Sequence, residues 1–293
     1  MKLGLHMPAT AWAGGTPRLG ATLIEVVEAA EAAGFDIITV ADHVWQHPIM
    51  GGPETSQIEA YTTLGFIAAR TRRIRLMALA TAASYRHAGL LAKMVTTLDV
   101  LSGGRAVLGI GAGDYPEEAQ GLGLPFPSLS ERFDILEETV QACLRMWEGT
   151  QGDERPFHGK HVQIERALNV PQSLSRPHPP ILIAGSGERR TLPLVARYAD
   201  ACNIRPSPEI PRQLELLHTL CEREGREYDA IEKTVPFGFD VGPDGSNAGA
   251  VVDQLRWLAS MGAETVIGWV VGVDQITPLE IMGREVIPAV ADL

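Results

Sequence analysis

The 293-residue chain predicts an α/β fold, a (β/α)8 TIM barrel with an insertion before strand five, and three observations carry that prediction. Eight apolar runs of four to eight residues, bounded by Gly, Pro or Asp, read as parallel strands buried on both faces. Most stretches between them repeat apolar residues three and four apart, the spacing of a helix with one buried face. The first strand-to-helix turn, 7–20, is rich in Gly and Pro but lacks G-x-G-x-x-G, so the dinucleotide fingerprint of an open doubly wound sheet is missing.

In chain order the strands are Leu3–Met7, Ile37–Ala41, Ile74–Ala80, Ala106–Gly111, Pro180–Ala184, Ala201–Ile204, Pro236–Val241 and Glu264–Val271. The first helix runs near Leu19–Ala33 and stops at Gly34, a residue at ease in the left-handed conformation. Helices follow over Ala60–Thr71 and Leu90–Leu101, the latter ended by Gly103 and Gly104. Ser128 and Glu131, at capping-box spacing, start a helix that reaches Trp147. Later helices lie near Glu188–Tyr198, Pro211–Glu224, Gly249–Met261 and Pro278–Val290, with Pro193 and Pro288 inside the helical patterns. Thr150–Pro179 breaks the alternation, with four prolines and few periodic apolar residues. It reads as an insertion packed over the barrel mouth, within one domain spanning 1–293.

Composition narrows the function. A net charge of -11 argues against a nucleic-acid partner, whose phosphates call for clustered Lys and Arg. No apolar run reaches the ~18 residues of a membrane span, and the N-terminus lacks the apolar stretch of a signal peptide. Three scattered cysteines suit a reducing compartment, so the expectation is a soluble cytoplasmic protein that acts on a small molecule.

In such barrels ligands sit at the carboxyl ends of the strands. Asp42-His43 ends strand two, where a His can exchange a proton beside a carboxylate that orients it, or the pair simply caps the loop. Gly109, Gly111 and Gly113, followed by Asp114, either admit a flat ring to the backbone or permit a tight exit from the barrel. Gly185-Ser186-Gly187-Glu188-Arg189-Arg190 opens a helix and reads as an anion site. Six arginines against three carboxylates between Arg176 and Arg212 favour a phosphate-bearing ligand there. His6, His43, His47 and His87 show no metal-ligand spacing, so no metal is expected. Arg70, Arg72, Arg73 and Arg75 fall at the barrel's inert amino end.

Three stretches together, AEAAGFDIITVADH (30–43), YRHAGLLAKMVTTLDVLSGGRAVLGIGAG (85–113) and RPHPPILIAGSGERRTLPLVARYADACNI (176–204), resemble the luciferase-like monooxygenase superfamily. Within it they are most similar to the branch that uses the deazaflavin coenzyme F420. The resemblance implies a deazaflavin ring at the carboxyl mouth, with Asp42 beside it and His43 exchanging a proton with substrate. It places Leu79-Ala80 where the family has a non-prolyl cis peptide against the ring. Gly111 and Asp114 match the turn after strand four, where some relatives carry a Glu as a second acid; Asp114 is a shorter one. Gly185, Ser186, Gly187 and Arg189 match the loop that holds the coenzyme's phosphate. His47 stands where sugar-phosphate-oxidising relatives have Trp. The function implied is an F420-dependent oxidoreductase, against an FMN-dependent monooxygenase or a catalytically silent flavin-binding protein on the same barrel. By analogy it is a homodimer, joined through Ala60–Ala69 and Leu90–Leu101.

Overall fold

Period-two alternation turns each apolar run into a strand whose side chains face, in turn, the barrel interior and the surrounding helices. The computed structural model describes residues 1–7 and 12–293. Among these, the barrel strands are β1 (Lys2–Met7), β2 (Ile37–Val40), β3 (Arg75–Ala78), β4 (Ala106–Gly111), β5 (Ile181–Ala184), β6 (Ala201–Asn203), β7 (Glu232–Phe239) and β8 (Thr265–Val270). Every neighbouring pair is parallel and follows chain order, and β8 pairs with β1, which closes the barrel.

Around it lie α1 (Gly15–Ala33), α2 (Ala60–Arg70), α3 (Ala88–Ser102), α4 (Pro116–Leu122), α5 (Leu129–Trp147), α6 (Thr191–Tyr198), α7 (Ile210–Glu224), α8 (Ala248–Ser260), α9 (Thr277–Ile281) and α10 (Ile287–Val290). The capping box of α5 forms in both directions between Ser128 and Glu131. Pro193 sits in the first turn of α6, where a missing N–H costs nothing. Pro288 is preceded by a π-helical turn, Met282–Val286, that absorbs the lost hydrogen bond. No helix of the described residues is long and apolar enough to cross a membrane.

The core has two compartments. Leu3, Leu5, Ile38, Leu76, Leu108, Ile183, Val235 and Val266 pack with the helices. Ile37, Met77, Val107, Leu182, Ala201 and Ile267 fill the barrel itself. Each fully buried side chain of this kind contributes roughly 1.5–3 kcal/mol. At the amino end Arg75 donates to Asp36 at 2.8 Å and to Glu232 at 3.0 Å, plugging the barrel floor.

Four expectations are corrected. Helix α1 starts at Gly15 rather than Leu19, because Pro17 fits its first turn; of the 7–20 turn, 8–11 lie outside the described residues. Strand β7 starts at Glu232 rather than Pro236. Its polar opening is tolerated because Glu232 meets Arg75 and Lys233 meets Glu264 at 3.1 Å. Helix α4 is absent from the expected helices and forms with Pro116 in its first turn. The segment 150–179 lies along the outer wall, not over the mouth. Lys93 Nζ on α3 donates to the Val170 carbonyl at 2.7 Å, and Asp99 accepts from the Leu174 and Ser175 amides at 2.7 and 2.9 Å. Glu138 on α5 accepts from three successive amides, 160–162. Its buried polar backbone thus finds partners on α3 and α5, which hold it against the helices.

Candidate active site

His43 leaves the carboxyl end of β2 and points its ring at a carboxylate from another element. Its Nδ1 lies 3.1 Å from Glu118 Oε2, and the Glu118 side chain is 0% exposed. Glu118 also accepts from the backbone N–H of Val44 at 2.6 Å and Trp45 at 2.8 Å, and from the Tyr85 hydroxyl at 2.8 Å. Burial alone would raise the Glu118 carboxyl, but the hydrogen bonds from His43, the Trp45 amide and Tyr85 hold it below the usual range. For His43 burial works against the charged ring. The Glu118 carboxylate, with Asp114 and Asp42 behind it, outweighs burial and raises the imidazole above its ordinary value. With Nδ1–H committed to Glu118, Nε2 is the nitrogen free to exchange a proton.

Asp42, the neighbour in sequence, does not orient His43. Successive residues diverge, and Asp42 is clamped by both Nη atoms of Arg86, with Nη2 at 2.9 Å from Oδ1. Arg86 also reaches Glu59 at 2.9 Å and lies over the Tyr61 ring at 5.0 Å. Glu118, Tyr85 and Arg86 were therefore missed as site residues. Pro116-Glu117-Glu118 was the signal for the first, a helix start with two acids in its first turn. Asp114 is exposed and makes no hydrogen bond or ion pair among the described residues, though its charge reaches His43.

The glycines after β4 divide into two kinds. A Cβ on Gly109 would stand 2.1 Å from the Ala78 carbonyl, so that glycine is required by the barrel's own packing. A Cβ on Gly111 would meet Ala184 at 3.7 Å and the Ala80 Cβ at 3.9 Å, ordinary contacts. The barrel's own packing does not require glycine at 111, since a side-chain carbon would fit there without a clash. The Leu79–Ala80 peptide beside it is cis. Gly109→Ala is expected to cost about 1–3 kcal/mol by overpacking. Gly111→Ala should unfold within a degree or two of the parent and lose cofactor affinity instead. Thermal unfolding paired with a cofactor titration checks this, and equal destabilisation of the two variants contradicts it.

The residues expected to hold a phosphate line a cleft of about 670 Å³, formed by Leu129, Ser130 and Phe133 of α5 facing Ser186–Arg190. Gly185 holds φ +124°, which a side chain rarely adopts. The Ser186 hydroxyl accepts from the Arg205 amide at 2.8 Å and keeps its own hydrogen to donate. The expected arginine excess is largely cancelled by acids from flanking helices. Arg190 pairs with Asp134 at 2.6 Å, Arg197 with Glu137 at 2.8 Å, and Arg212 with Glu188 and Glu209. Near the cleft, Arg189 and Arg205 form no ion pair among the described residues and are exposed. Of the six arginines three are paired and Arg176 precedes β5 at the barrel's amino end, so two cations remain near the cleft for an anion.

A family model described as luciferase-like monooxygenase matches residues 1–272. The chain belongs to the luciferase-like monooxygenase family. It is 30% identical over 246 residues to the F420-dependent glucose-6-phosphate dehydrogenase of Nakamurella multipartita, spanning 81% of this chain and 68% of that one. To the protein of the same name in Mycobacterium leprae it is 30% identical over 259 residues, 83% of this chain and 71% of that one. Among solved structures, an F420-dependent secondary alcohol dehydrogenase in complex with an F420–acetone adduct aligns with TM-score 0.83 at 17% identity, over 99% of this chain and 98% of that one. A monooxygenase from Streptomyces bottropensis aligns with TM-score 0.81 at 19% identity, over 98% and 99%. At those identities the likeness is one of fold, and that fold serves a dehydrogenase and a monooxygenase alike.

Proposed function

We propose that the protein is an F420-dependent oxidoreductase that transfers a hydride between the deazaflavin and a small organic substrate. The observation that carries the reading is the pair that His43 makes with the fully buried Glu118 carboxylate at the barrel's carboxyl mouth. The names of the relatives support the choice of cofactor. When bound, the deazaflavin supplies a hydride donor or acceptor that reacts poorly with oxygen. The residues present fit it. Gly111, Leu79 and Ala80 are the backbone against which a flat ring would lie. Gly185, Ser186, Gly187 and Arg189, with Arg205, offer donors and positive charge to a phosphate. Asp42 braces the start of the β2 loop through Arg86, and His43 Nε2 carries the proton that must accompany the hydride.

Fluorescence titration with F420 and with FMN, side by side, tests this. F420 should bind more tightly, with affinity falling as salt rises and a few-fold further in Arg189→Ala, since an exposed guanidinium is screened. Equal or tighter FMN binding, or a protein that purifies yellow with FMN, favours the monooxygenase.

The protein further acts as a homodimer through α2 and α3, whose outer faces expose Phe66 (42%), Leu90 (57%) and Leu101 (73%). Sedimentation at micromolar concentration should give twice the 31.6 kDa of the chain; a monomer mass overturns the dimer.

A further inference from the structure

The half of the mouth away from the phosphate cleft carries a side chain that the chemistry above does not use. Trp269 lies near the carboxyl end of β8 and faces inward by alternation: Ile267, two residues earlier, belongs to the barrel interior, while Val266 and Val270 pack outward. Ile267 is 2% exposed, yet Trp269 is 40% exposed. A Cβ on Gly238 of β7 would come within 2.8 Å of the Trp269 ring, so the indole rests directly on that strand's backbone. An inward-facing indole that open to the mouth is a preformed apolar platform.

Its neighbour is His6. The β1–β8 register sets Leu5 beside Gly268, which brings His6 alongside Trp269. His6 Nδ1 lies 2.8 Å from Thr39 Oγ1. Thr39 has no other side-chain hydrogen bond among the described residues, so its hydroxyl hydrogen goes to Nδ1. Assigned from that network, the tautomer carries its hydrogen on Nε2 and presents a donor. Burial, and the nearby His43, lower the His6 pKa to about 4, so the ring is neutral at pH 7.

Charge selects among ligands. The described parts of the loops after β7, β8, β1 and β2, residues 240–247, 271–276, 12–14 and 41–59, contain no Lys or Arg. They carry Asp240, Asp244, Asp274 and Glu54, besides Asp42 and Glu59, which Arg86 pairs. The unpaired Arg189 and Arg205 follow β5 and β6, on the opposite side of the barrel. A phosphorylated or carboxylated substrate on the Trp269 side would meet acids and no free cation.

We propose that Trp269 and His6 form the substrate subsite, and that it takes an uncharged planar carbonyl compound, aromatic or conjugated, with its ring on the indole and its oxygen on His6 Nε2–H. This rests on the hydride-transfer reading for its chemistry, but its binding can be measured apart from turnover. Acetophenone, ethylbenzene and glucose 6-phosphate are titrated calorimetrically into the full chain, with and without F420. Acetophenone should bind most tightly, and Trp269→Ala should weaken it about tenfold or more while Trp269→Phe retains most of the affinity. His6→Ala should reduce acetophenone to the level of ethylbenzene and leave ethylbenzene unchanged. None of the three variants should move the F420 dissociation constant more than a few-fold. Acetophenone binding indifferent to Trp269→Ala, or glucose 6-phosphate binding more tightly than acetophenone, overturns the subsite. A chain that binds acetophenone through Trp269 but does not bind F420 upholds the subsite and overturns the cofactor reading.

Discussion

Replacing His43 with alanine lowers turnover about 10²–10⁴-fold, or ~3–5 kcal/mol of barrier, and leaves the F420 dissociation constant within a few-fold of the parent. The reason is positional. Among the described residues His43 is the only imidazole at this mouth whose Nδ1 is held by a buried carboxylate, and the cleft lined by Ser186–Arg190 does not include it. Removing the ring therefore removes the proton carrier and spares the phosphate donors. Steady-state kinetics beside a coenzyme titration separates the outcomes. Turnover near the parent's would pass the proton role to Asp114 or to solvent. A joint fall in turnover and coenzyme affinity would make His43 scaffold.

Glu118→Gln produces the second large effect, and it acts through His43. The glutamine oxygen can still accept from the Val44 and Trp45 amides, but its NH2 then faces His43 Nδ1 and the Tyr85 hydroxyl, both of which donate to the carboxylate now. Nδ1 must become an acceptor, so the hydrogen moves to Nε2 and the ring can no longer take up a proton there without facing the amide donors. Turnover should fall about ten- to a hundredfold, with a stability cost of about 1.5–3 kcal/mol for the lost charge-assisted bonds. The pH dependence has a defined sign. His43 is raised in the folded state, so its stabilisation is complete below its unfolded value of 6.5 and is lost as pH rises through the folded value. Without the Glu118 charge that loss, and the matching limb of the rate profile, moves to lower pH. Denaturant unfolding across pH 5–9, with the pH profile of kcat/KM, measures both shifts. An unmoved profile would falsify the role given to Glu118.

Those two variants touch residues of very different legibility. His43 could be read from the sequence because a His directly after an apolar strand run must sit at the barrel's carboxyl end. Glu118 could not, because it is 75 residues away and reaches His43 only once α4 folds back across the mouth. Its two backbone partners, Val44 and Trp45, carry no sequence signal at all. Trp45 itself leaves a trace only in retrospect: a Cβ on Gly121 would lie 2.1 Å from its ring, so α4 has a glycine where the indole crosses it.

The arginines teach the converse. Counted along the chain, 176–212 looks like a strong cationic patch. In space, Asp134 and Glu137 of α5 and Glu224 of α7 neutralise two of the arginines, and Glu188 and Glu209 a third. Linear charge density is a poor guide wherever helices from distant segments pack side by side. Likewise, 150–179 was rightly read as irregular, but its position depends on acceptors such as Asp99 and Glu138, whose availability appears only after α3 and α5 are placed.

What the sequence by itself determined was the barrel, the order of its strands, and the end at which chemistry happens. Those follow from periodicity and chain direction, which are local properties that short segments carry on their own. Tertiary structure alone decided which carboxylate charges His43, which glycine the packing requires and which it does not, and which arginines remain free. Each of these is a distance between residues far apart in sequence, and no local pattern encodes such a distance until the barrel closes and sets β4 against β3, α4 against the β2 loop, and β8 against β1.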